Sequence, residues 1–553
     1  MDQRARDIVT IGNKLFDQKR RVDSLNQEIA LNFYPERADF TSKKSDGDEF
    51  ADHLFSSYPV MARRELGNLL PSSLRPRSQK WFSIHVANEE LDDQDEERKF
   101  LERLTDIQWR AMYDRESGFV RATKEADHDF ISFGNAVIKF GPNTEGNGLL
   151  YRNYHLRDTA WRENAEGKID TVHRNWTPTA RQLVDTFPKT TSSEVKRIVD
   201  KEPGKEVKCR HIVMPSRIYG GENPISKRFP YVSLWIECAS ETVLEEIGLN
   251  YFCYVIPRWH TVSGSPFGVS MATSILLPDG RTLQVMTRTI REAGEMYVNP
   301  PLLSFSDAIR GDIAYYAGGI TTADIEYDER SGEVLRPITQ VKDGMPIGLE
   351  LSAALREDIR AGFFLDKIQL PETSGDMTAY EVKRRLEEHI RSASPIFEPI
   401  EQEYNDPLCE GTFQVLKDFG AFPVQEMPES LQGSDVRFTF RSPLADMAEQ
   451  REAEIYLDIR DRILGPTAQI DPAQIEQIDW DEATRDAIRA SGAKQKWLKP
   501  IEALSQRREQ MAQEAAQQKS LDTAAQVGAI AEQGGRGQQE INKAEAEGAV
   551  DGG

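Results

Sequence analysis

Cysteine is scarce in this sequence: the chain has four in 553 residues, and no two of them form a CxxC pair. Neither a paired-cysteine zinc site nor a disulfide framework can be recognised. Apolar runs of about 20 residues, the length that a helix needs to span a bilayer, are also missing. The start, MDQRARDIVTIGNKLF, is charged throughout and lacks the apolar stretch of a secretion signal. We therefore expect a protein without a membrane span that stays in a reducing compartment, the cytosol or an assembly formed there.

Positive charge is in deficit. Lysine and arginine number 69 against 91 aspartates and glutamates, so the formal net charge is −22. Proteins that hold DNA tightly use basic side chains to displace the counterions of its phosphates. The acidic balance therefore argues against a repressor or a DNA-packing histone. It leaves room for DNA that passes close to the protein without being held.

The common enzyme motifs are absent as well. The sequence has no GxxxxGK[ST], no HExxH, no GxSxG, and no GxGxxG after a strand-like segment. Gly141 and Gly146 have the spacing of a phosphate-binding loop, but Asn147 and Gly148 stand where that loop needs lysine and a hydroxyl. We interpret this segment as a β-turn, and we predict no catalytic residue, metal site or cofactor.

Three further patterns invite a functional reading. Asp127, His128 and Asp129 offer metal-ligand chemistry, but neighbouring positions on a helix point about 100° apart and do not converge on one ion. Isolated histidines favour hydrogen-bonded structural imidazoles; they are His155, His173, His211 and His260. The basic segment 74–82 ends in a single Trp-Phe pair, whereas single-stranded nucleic acid needs several spaced aromatic side chains. Core packing is the better interpretation of all three.

Apolar spacing gives the order of the elements in the first half of the chain. Ile8, Ile11, Leu15, Val22, Leu25 and Ile29 indicate a helix that ends before Phe33-Tyr34-Pro35. The acidic run 88–97 indicates the solvated first turn of a second helix that continues to Trp109. Short β-branched and aromatic runs between about 130 and 265 predict a β-rich unit.

The second half is predicted as two helices that bracket a small β-unit. Leu283, Met286, Ile290, Ala293 and Tyr297 indicate a long helix stopped by Asn299-Pro300-Pro301. Short strands follow over 302–345, and Leu351, Leu355, Ile359 and Phe363 indicate a second helix. A loop, LPETSGDM, precedes a capping box at 378–381, then a strand at 436–440 and a charged helical segment at 444–489. The tail after about Ser505 is predicted as low-complexity helix or disorder.

Several short patches, taken in order, point to a known family. They are Phe33-Tyr34-Pro35, Asn68-Leu69-Leu70-Pro71, Lys80-Trp81-Phe82, Phe133-Gly134-Asn135-Ala136, Asp170-Thr171-Val172-His173-Arg174, Pro257-Arg258-Trp259, Pro266-Phe267-Gly268, Asn299-Pro300-Pro301, Thr378-Ala379-Tyr380-Glu381 and Ser442-Pro443-Leu444. Their order over roughly residues 10 to 465 resembles the bacteriophage head-to-tail connecting proteins, the portal proteins of short-tailed phages. Phe267 stands where the family commonly has tyrosine, and Leu277-Pro278-Asp279 interrupts the entry to the first long helix.

The resemblance implies an α+β portal fold assembled as a ring of twelve chains with a central channel. Its parts on this chain are a first wing segment (1–265), stem helix one (266–298), a clip (299–345), stem helix two (346–370), a tunnel loop with the second wing segment (371–443), a helical crown (444–505) and a low-complexity tail (506–553). Such a ring at one capsid vertex takes in double-stranded DNA pumped by terminase, releases it on ejection, and holds the tail.

The resemblance also implies site residues. The tunnel loop facing DNA comprises Lys367, Pro371, Glu372, Thr373, Ser374, Gly375 and Asp376. Contacts between subunits in the stem comprise Arg288, Arg291, Glu292, Arg356, Glu357 and Asp358. The alternative interpretation of these charged residues is a helix face exposed to solvent. Clip residues that meet terminase and the tail adaptor comprise Asp307, Arg310, Asp324, Glu326 and Asp328.

The implied partners are further copies of the chain, the terminase large subunit, major capsid and scaffolding proteins, tail adaptor and tail proteins, internal core or ejection proteins, and DNA without sequence preference. Two alternatives stay open. An acidic helical scaffold protein that is not viral explains the helices but not the bracketed β-unit. The other is a hydrolase or nuclease whose active-site residues are far apart in the sequence, because such a site has no characteristic residue spacing.

Overall fold

A computed structural model describes residues 3–43, 45, 47–77, 79–88, 95–220, 224–298, 302–304, 335–337, 344–368, 400–433, 435–440, 455–464, 478–491, 497–498, 504, 506–511 and 513–518. Helices and antiparallel sheets are both present, which confirms the α+β class. The chain divides into two compact units, one of Met1–His85, Arg103–Met427 and Asp435–Ala445, the other of Val86–Glu102, Pro428–Ser434 and Asp446–Gly553. No helix in the described ranges is both long and apolar enough to span a membrane.

The N-terminal helix, α1 (Gln3–Phe33), ends one residue later than predicted, at the first residue of Phe33-Tyr34-Pro35. Its buried side follows two seven-residue series, one of Ala5, Gly12, Lys19, Asn26 and Phe33, the other of Ile8, Leu15, Val22 and Ile29, with Leu15 and Val22 half-buried. The expected contributions of Ile11 and Leu25 were wrong, since these side chains are 43% and 46% exposed. One of the two series is filled largely by small and polar residues, so a search for apolar side chains passes over it.

Lys19 is a charged residue on that buried side, and its contacts explain why it can be buried there. Its ammonium group donates a hydrogen bond to the carbonyl oxygen of Leu156 and lies 2.9 Å from the carboxylate of Asp23, one turn further along α1. Burial lowers the pKa of Lys19, and the neighbouring Asp23 acts in the opposite direction. The ion pair and the backbone acceptor together satisfy a cation that burial alone disfavours.

Four elements follow α1: α2 (Tyr58–Leu74), β1 (Phe82–Val86), α3 (Asp95–Met112) and α4 (Phe119–Phe133). Helix α3 begins inside the acidic run, as predicted, although residues 89–94 lie outside the described ranges. One carboxylate of that run is buried: Glu97 accepts a hydrogen bond of 2.6 Å from the hydroxyl of Ser430. The basic segment ends as expected in core packing, because Trp81 and Phe82 are fully buried.

The middle of the chain is β-rich, as predicted. Its elements are β2 (Ile138–Pro142), β3 (Leu149–Asn153), β4 (Thr159–Glu163), β5 (Ile169–Trp176), α5 (Ala180–Thr186), α6 (Ser193–Lys201), β6 (Cys209–Pro215), α7 (Ser216–Tyr219), α8 (Pro224–Arg228), β7 (Tyr231–Glu237), β8 (Thr242–Leu249) and β9 (Tyr254–Val255). The strands form a three-stranded sheet in the order β3-β2-β9 and a five-stranded antiparallel meander from β4 to β8. Residues 143–148 turn between β2 and β3, with the amide of Asn143 donating to the carbonyl of Gly148 at 2.8 Å, so the turn interpretation is confirmed.

Two apolar clusters involve the five-stranded sheet. One joins Ile8 of α1 to Met214 and Leu234 of the sheet. The other joins Leu183 of α5 and Val195 of α6 to Leu244. The sheet is therefore buried by helices on either side of it, which is why every residue of its central strand β6 is buried, Arg210 and His211 included, instead of every second one.

Two long helices and short strands come next: α9 (Thr273–Val298), β10 (Leu302–Ser304), β11 (Leu335–Pro337), α10 (Gly344–Gly362) and α11 (Leu365–Ile368). After these lie a π-helical turn (Glu401–Asn405), α12 (Asp406–Asp418) and β12 (Val436–Phe440), which pairs with β1. In the second unit lie a π-helical segment (Ile459–Leu464) and α13 (Trp480–Ala490), and residues 506–511 and 513–518 are helical. The capping box at 378–381 lies outside the described ranges.

Two sequence expectations for the long helices need correction. Pro278 does not interrupt the entry to the first helix but lies inside α9, where it forfeits a backbone hydrogen bond in the second turn. Phe363 does not belong to the second helix: α10 ends at Gly362, and Phe364 has a left-handed φ of 56°. Phe363 is instead buried against Phe33, with ring centroids 5.7 Å apart.

Candidate functional site

Helices α9 and α10 form a hairpin that ends in a pair of strands. Gly348 lies against Ile290, and fourteen residues further along α10 Gly362 lies against Leu276, fourteen residues back along α9. The two helices therefore run antiparallel. Strands β10 and β11 pair antiparallel at the end of the hairpin, with Leu302 opposite Pro337. This arrangement confirms the two helices that bracket a β-unit.

The base of the hairpin is fixed by contacts to α1 and to the segment just before α2. The side chain of Gln284 accepts hydrogen bonds from the amides of Phe55 and Ser56 and donates one to the carbonyl of Ser56, each at 2.8 Å. Arg281 forms an ion pair with Glu28 of α1. A polar side chain that satisfies three backbone groups holds α9 at one position along its length, so the rest of the hairpin projects from a fixed point.

The six stem residues predicted as subunit contacts all lie on this hairpin. Arg288 Nε donates to Glu292 Oε1 at 2.7 Å within α9, and the Arg288 guanidinium lies over the ring of Phe55. The Arg356 guanidinium lies 6.0 Å from the ring centroid of Tyr58. Among the described residues, no hydrogen bond or ion pair joins the α9 charges to the α10 charges. Arg291, Glu357 and Asp358 remain exposed to solvent, so the structure does not bring the predicted stem charges together within one chain.

The other predicted site residues are not placed. Lys367 belongs to α11, and the structure describes its backbone but not its side chain. The remaining tunnel-loop residues, Pro371, Glu372, Thr373, Ser374, Gly375 and Asp376, fall in the range 369–399, which is not described. The clip residues Asp307, Arg310, Asp324, Glu326 and Asp328 fall in the range 305–334, which is not described either.

Sequence reasoning missed a set of exposed apolar side chains on the hairpin. On α9 these include Ile275, Val285 and Met296, with exposures of 73%, 65% and 47%. On α10 Ile347 is 59% exposed, and Leu351, which the apolar spacing had grouped with the buried Ile359, is 52% exposed. The sequence prediction of α9 used the apolar positions on its buried side, and the side chains on α9 lie on the opposite side of that helix. Ile275, Val285 and Met296 recur at steps of ten and eleven residues, close to three helical turns, and this spacing is the signal that would have identified them.

Asp127, His128 and Asp129 on α4 diverge, as predicted, and each holds a different arginine. Asp127 forms a fully buried ion pair with Arg75. His128 Nδ1 lies 3.0 Å from Arg63, and Asp129 accepts two hydrogen bonds from Arg37, at 3.0 and 2.5 Å. Burial opposes the charge on Arg75, but the Asp127 carboxylate outweighs it and raises the pKa of Arg75. The three side chains tie α4 to segments that precede it in the chain.

The motif residues that carry the family resemblance have defined roles in the core. Arg258 donates two hydrogen bonds to Glu403, at 3.0 and 2.7 Å, one to Glu163 at 3.0 Å and one to the carbonyl of Gly167 at 2.9 Å. The hydrogen bond with Glu403 is the main cause that raises the pKa of Arg258. The next residue, Trp259, is buried and stacks on Phe130 with centroids 5.6 Å apart. A single motif thus connects the sheet region with the segment after residue 400.

Two of the four histidines predicted to be structural, His155 and His211, are hydrogen-bonded in the core, whereas His260 is exposed. His155 lies 2.6 Å from Asp39, and His211 lies 2.6 Å from the hydroxyl of Tyr254 and 2.9 Å from that of Ser233. His173 is fully buried and neither ring nitrogen has a hydrogen-bond partner among the described residues. It lines a cavity of about 190 Å³ beside α1. Burial lowers the pKa of His173 to about 3, so its imidazole is neutral at physiological pH.

Comparisons with known proteins agree with the motif order. The family model described as "Bacteriophage head to tail connecting protein" matches residues 6–498. The chain is 26% identical over 513 residues to the "Probable portal protein" of Bordetella phage BPP-1, covering 89% of each chain. It is 23% identical over 492 residues to the "Portal protein" of Salmonella phage epsilon15, covering 85% of this chain and 84% of that one. The chain therefore belongs to the bacteriophage head to tail connecting protein family.

Proposed function

We propose that twelve copies of this chain form a closed ring at one capsid vertex, with α9 and α10 as the stem around a DNA channel. Membership of the family makes the chain a head-tail connector of a phage, and a role in DNA packaging follows from it. The observation that carries the ring proposal is the anchored, antiparallel hairpin with a strand pair at its end. A ring needs one surface that contacts the next copy on each side, and a projecting hairpin offers two different faces for that purpose.

The remaining parts are assigned in the same way. The strand pair and residues 299–345 form the clip that meets terminase and later the tail adaptor, through Asp307, Arg310, Asp324, Glu326 and Asp328. The tunnel loop, with Lys367 and residues 371–376, faces the DNA. The β-rich region forms the wing, residues 444–505 form the crown, and the tail after 505 extends from it.

The ring has no catalytic task of its own and needs no cofactor. Terminase supplies the motor, and the ring contacts major capsid and scaffolding proteins, tail proteins, and internal core or ejection proteins. The chain is made in the host cytoplasm and ends at the portal vertex of the virion.

The charge of the chain suits transport rather than binding. Twelve copies of net charge −22 carry a formal charge of −264. Contacts between basic side chains and phosphates raise affinity and would hold a moving duplex in place. An acidic ring repels DNA or holds it weakly, which allows the duplex to pass in both directions.

The mass and symmetry of the purified protein test this proposal, by light scattering and negative-stain imaging. Twelve chains of 62.7 kDa give about 752 kDa. We expect a closed ring with a central hole near that mass, and a ring with one extra subunit in overexpressed material supports the same conclusion. A monomer or dimer at micromolar concentration contradicts self-assembly and favours an acidic scaffold that needs partners.

A further inference from the structure

The cavity beside α1 has the size and lining of a small binding site. Its volume is about 190 Å³, and the apolar part of its lining includes Ile8, Ile11 and Leu15 of α1 together with Met214 and Ile218. Ile11 and Ile218 are 43% and 45% exposed, so the cavity opens at the protein surface. An apolar cavity of about 150 Å³ is large enough to hold benzene. This cavity therefore has room for one aromatic ring.

His173 lines the cavity and lacks a hydrogen-bond partner. Its side chain is fully buried, and both ring nitrogens are unpaired among the described residues. The adjacent residue of α1 is Gly12, where a Cβ atom would lie 2.6 Å from Nδ1 of His173, so the helix offers no side chain to bond it. A neutral imidazole presents one donor and one acceptor nitrogen. A buried polar group without a partner destabilises a fold, and a ligand that carries a hydroxyl group supplies that partner.

Arg162 gives the mouth of the cavity a positive charge. Its side chain is exposed and forms no hydrogen bond or ion pair with the residues that the structure describes. The other two charged lining residues, Arg4 and Asp7, cancel in the sum, so the lining has a formal charge of +1. The whole chain has the opposite sign, with a net charge of −22. Charge complementarity therefore favours an anionic group beside Arg162.

The register of the sheet sets the spacing of the two polar groups. Arg162 pairs with Thr171 across β4 and β5, and Ala160 pairs with His173. Arg162 and His173 are therefore diagonal neighbours on one face of the sheet, and such positions lie about 7–8 Å apart. That distance is close to the length of a tyrosine side chain. A tyrosine can thus reach His173 with its hydroxyl while a neighbouring carboxylate stays beside Arg162.

We infer that the cavity binds a tyrosine side chain from an acidic peptide segment of a partner protein. The ring fills the apolar part, its hydroxyl forms a hydrogen bond with His173, and an adjacent aspartate or glutamate pairs with Arg162. A peptide is favoured over a small molecule because a ligand that fits inside the cavity leaves the exposed parts of Ile11 and Ile218 uncovered, whereas the flanks of a peptide cover them. The site lies within one chain and does not depend on the proposed ring.

Fluorescence anisotropy with three labelled peptides tests the site on the full chain. The peptide GEYEG carries both recognised groups, GEFEG lacks the hydroxyl, and GKYKG reverses the charge. We expect GEYEG to bind most tightly. Loss of one neutral hydrogen bond weakens binding of GEFEG about fivefold, and loss of the charged contact weakens binding of GKYKG about tenfold or more. Equal binding of the three peptides, or no binding of GEYEG at millimolar concentration, overturns the inference.

A charge reversal locates the binding at this cavity. R162E changes an exposed side chain, so the variant should fold normally and bind GEYEG about tenfold or more weakly. The matched control is R181E, which makes the same change at an exposed position of α5, the helix on the other side of the sheet. It should bind as the unmodified chain does. An equal loss in both variants shows general electrostatic attraction and overturns the site.

The variant H173L tests the hydrogen bond at the buried end of the cavity. It should bind GEYEG and GEFEG equally, because the hydroxyl has lost its partner, and its thermal unfolding midpoint without peptide should not fall. A variant that still prefers GEYEG contradicts the role of His173. The R162E comparison does not depend on whether H173L folds.

Competition by para-hydroxyphenylpropionate separates a peptide from a small molecule. This compound carries the ring, the hydroxyl and a carboxylate but no peptide flanks. We expect it to displace labelled GEYEG less effectively than unlabelled GEYEG does. Displacement at the same concentration as the unlabelled peptide shows a small-molecule site and overturns the peptide assignment.

Discussion

Three successive side chains show how single residues organise this fold. Asp127, His128 and Asp129 point in different directions around α4, and each reaches an arginine 52, 65 or 92 residues earlier in the chain. The helix turns about 100° per residue, so adjacent polar side chains serve three separate segments instead of one ligand. A cluster with the composition of a metal site is therefore a junction of α4 with the N-terminal part of the chain.

Loss of one partner from the buried pair should destabilise the protein strongly. The variant D127A leaves the guanidinium of Arg75 buried without its carboxylate, and breaking such a pair costs about 3–5 kcal/mol. We expect a clearly lower thermal unfolding midpoint, followed by circular dichroism. The matched control is E125A, two residues earlier on α4, which removes the exposed pair between Glu125 and Arg121 and should leave the midpoint nearly unchanged. Equal midpoints for the two variants would show that the buried pair is not structural.

Residue spacing predicted that the side chains diverge, but it did not predict their partners. The step around a helix is a local property, whereas the arginines are brought to α4 by the path of the whole N-terminal region. The same holds for Arg258, whose partner Glu403 is 145 residues away. Periodicity contains no information about contacts of this kind, so the buried polar network was found only from the structure.

Helices and strands were predicted correctly where apolar side chains repeat at regular spacing. Buried positions were missed where small or polar residues occupy them. The end of α1 was predicted to within one residue, and the β-rich middle and the bracketed strand pair were confirmed. The buried series of α1 that contains Gly12 and Lys19 was missed because these two residues are not apolar. Gly12 is buried because it is small, and Lys19 because it forms an ion pair with Asp23 in the same helix. Helix α10 was predicted too long, because Phe363 has the correct spacing but packs in a turn against Phe33. Spacing alone does not distinguish a phenylalanine within a helix from one that follows the helix and packs into the core.

Deletion of residues 371–377 tests the element assigned to the channel. The segment follows α11 and lies beyond both helices assigned to the stem, so we expect deleted protein to form rings of normal appearance by negative stain. DNA protected from nuclease in a packaging reaction should fall severalfold, because the side chains assigned to the DNA are gone.

A control variant separates loss of these side chains from shortening of the chain. A glycine and serine segment of seven residues keeps the length, and it should impair packaging as the deletion does. Normal packaging by the deleted protein would refute the tunnel-loop assignment, and normal packaging by the glycine and serine variant alone would show that only length matters.

At the scale of the whole molecule, the order of motifs predicted the family, and composition did not. Low cysteine content, acidity and missing enzyme motifs excluded classes of protein but fitted a scaffold as well as a connector. Which side of α9 is exposed and which is buried depends on its packing against other elements, so it is known only from the structure. A sequence therefore predicts the family through patches such as Pro257-Arg258-Trp259, while the exposed side of α9 is identified only from the structure.

Removal of the tail after Ser505 should leave assembly intact. The family model ends at residue 498, and residues 506–553 contain few large apolar side chains, so they lack the burial that offsets the entropy of ordering. The side chains of residues 506–511 and 513–518 are exposed, and Arg508 donates a pair of hydrogen bonds to Asp481 on α13, one of 2.7 Å. Exposed ion pairs contribute little to stability. We expect a chain of residues 1–505 to give rings with the same symmetry as the full chain by light scattering and imaging, and R508A in the full chain to behave likewise. A monomeric truncated chain beside an assembled R508A variant would show that the tail holds the ring together by contacts other than this pair.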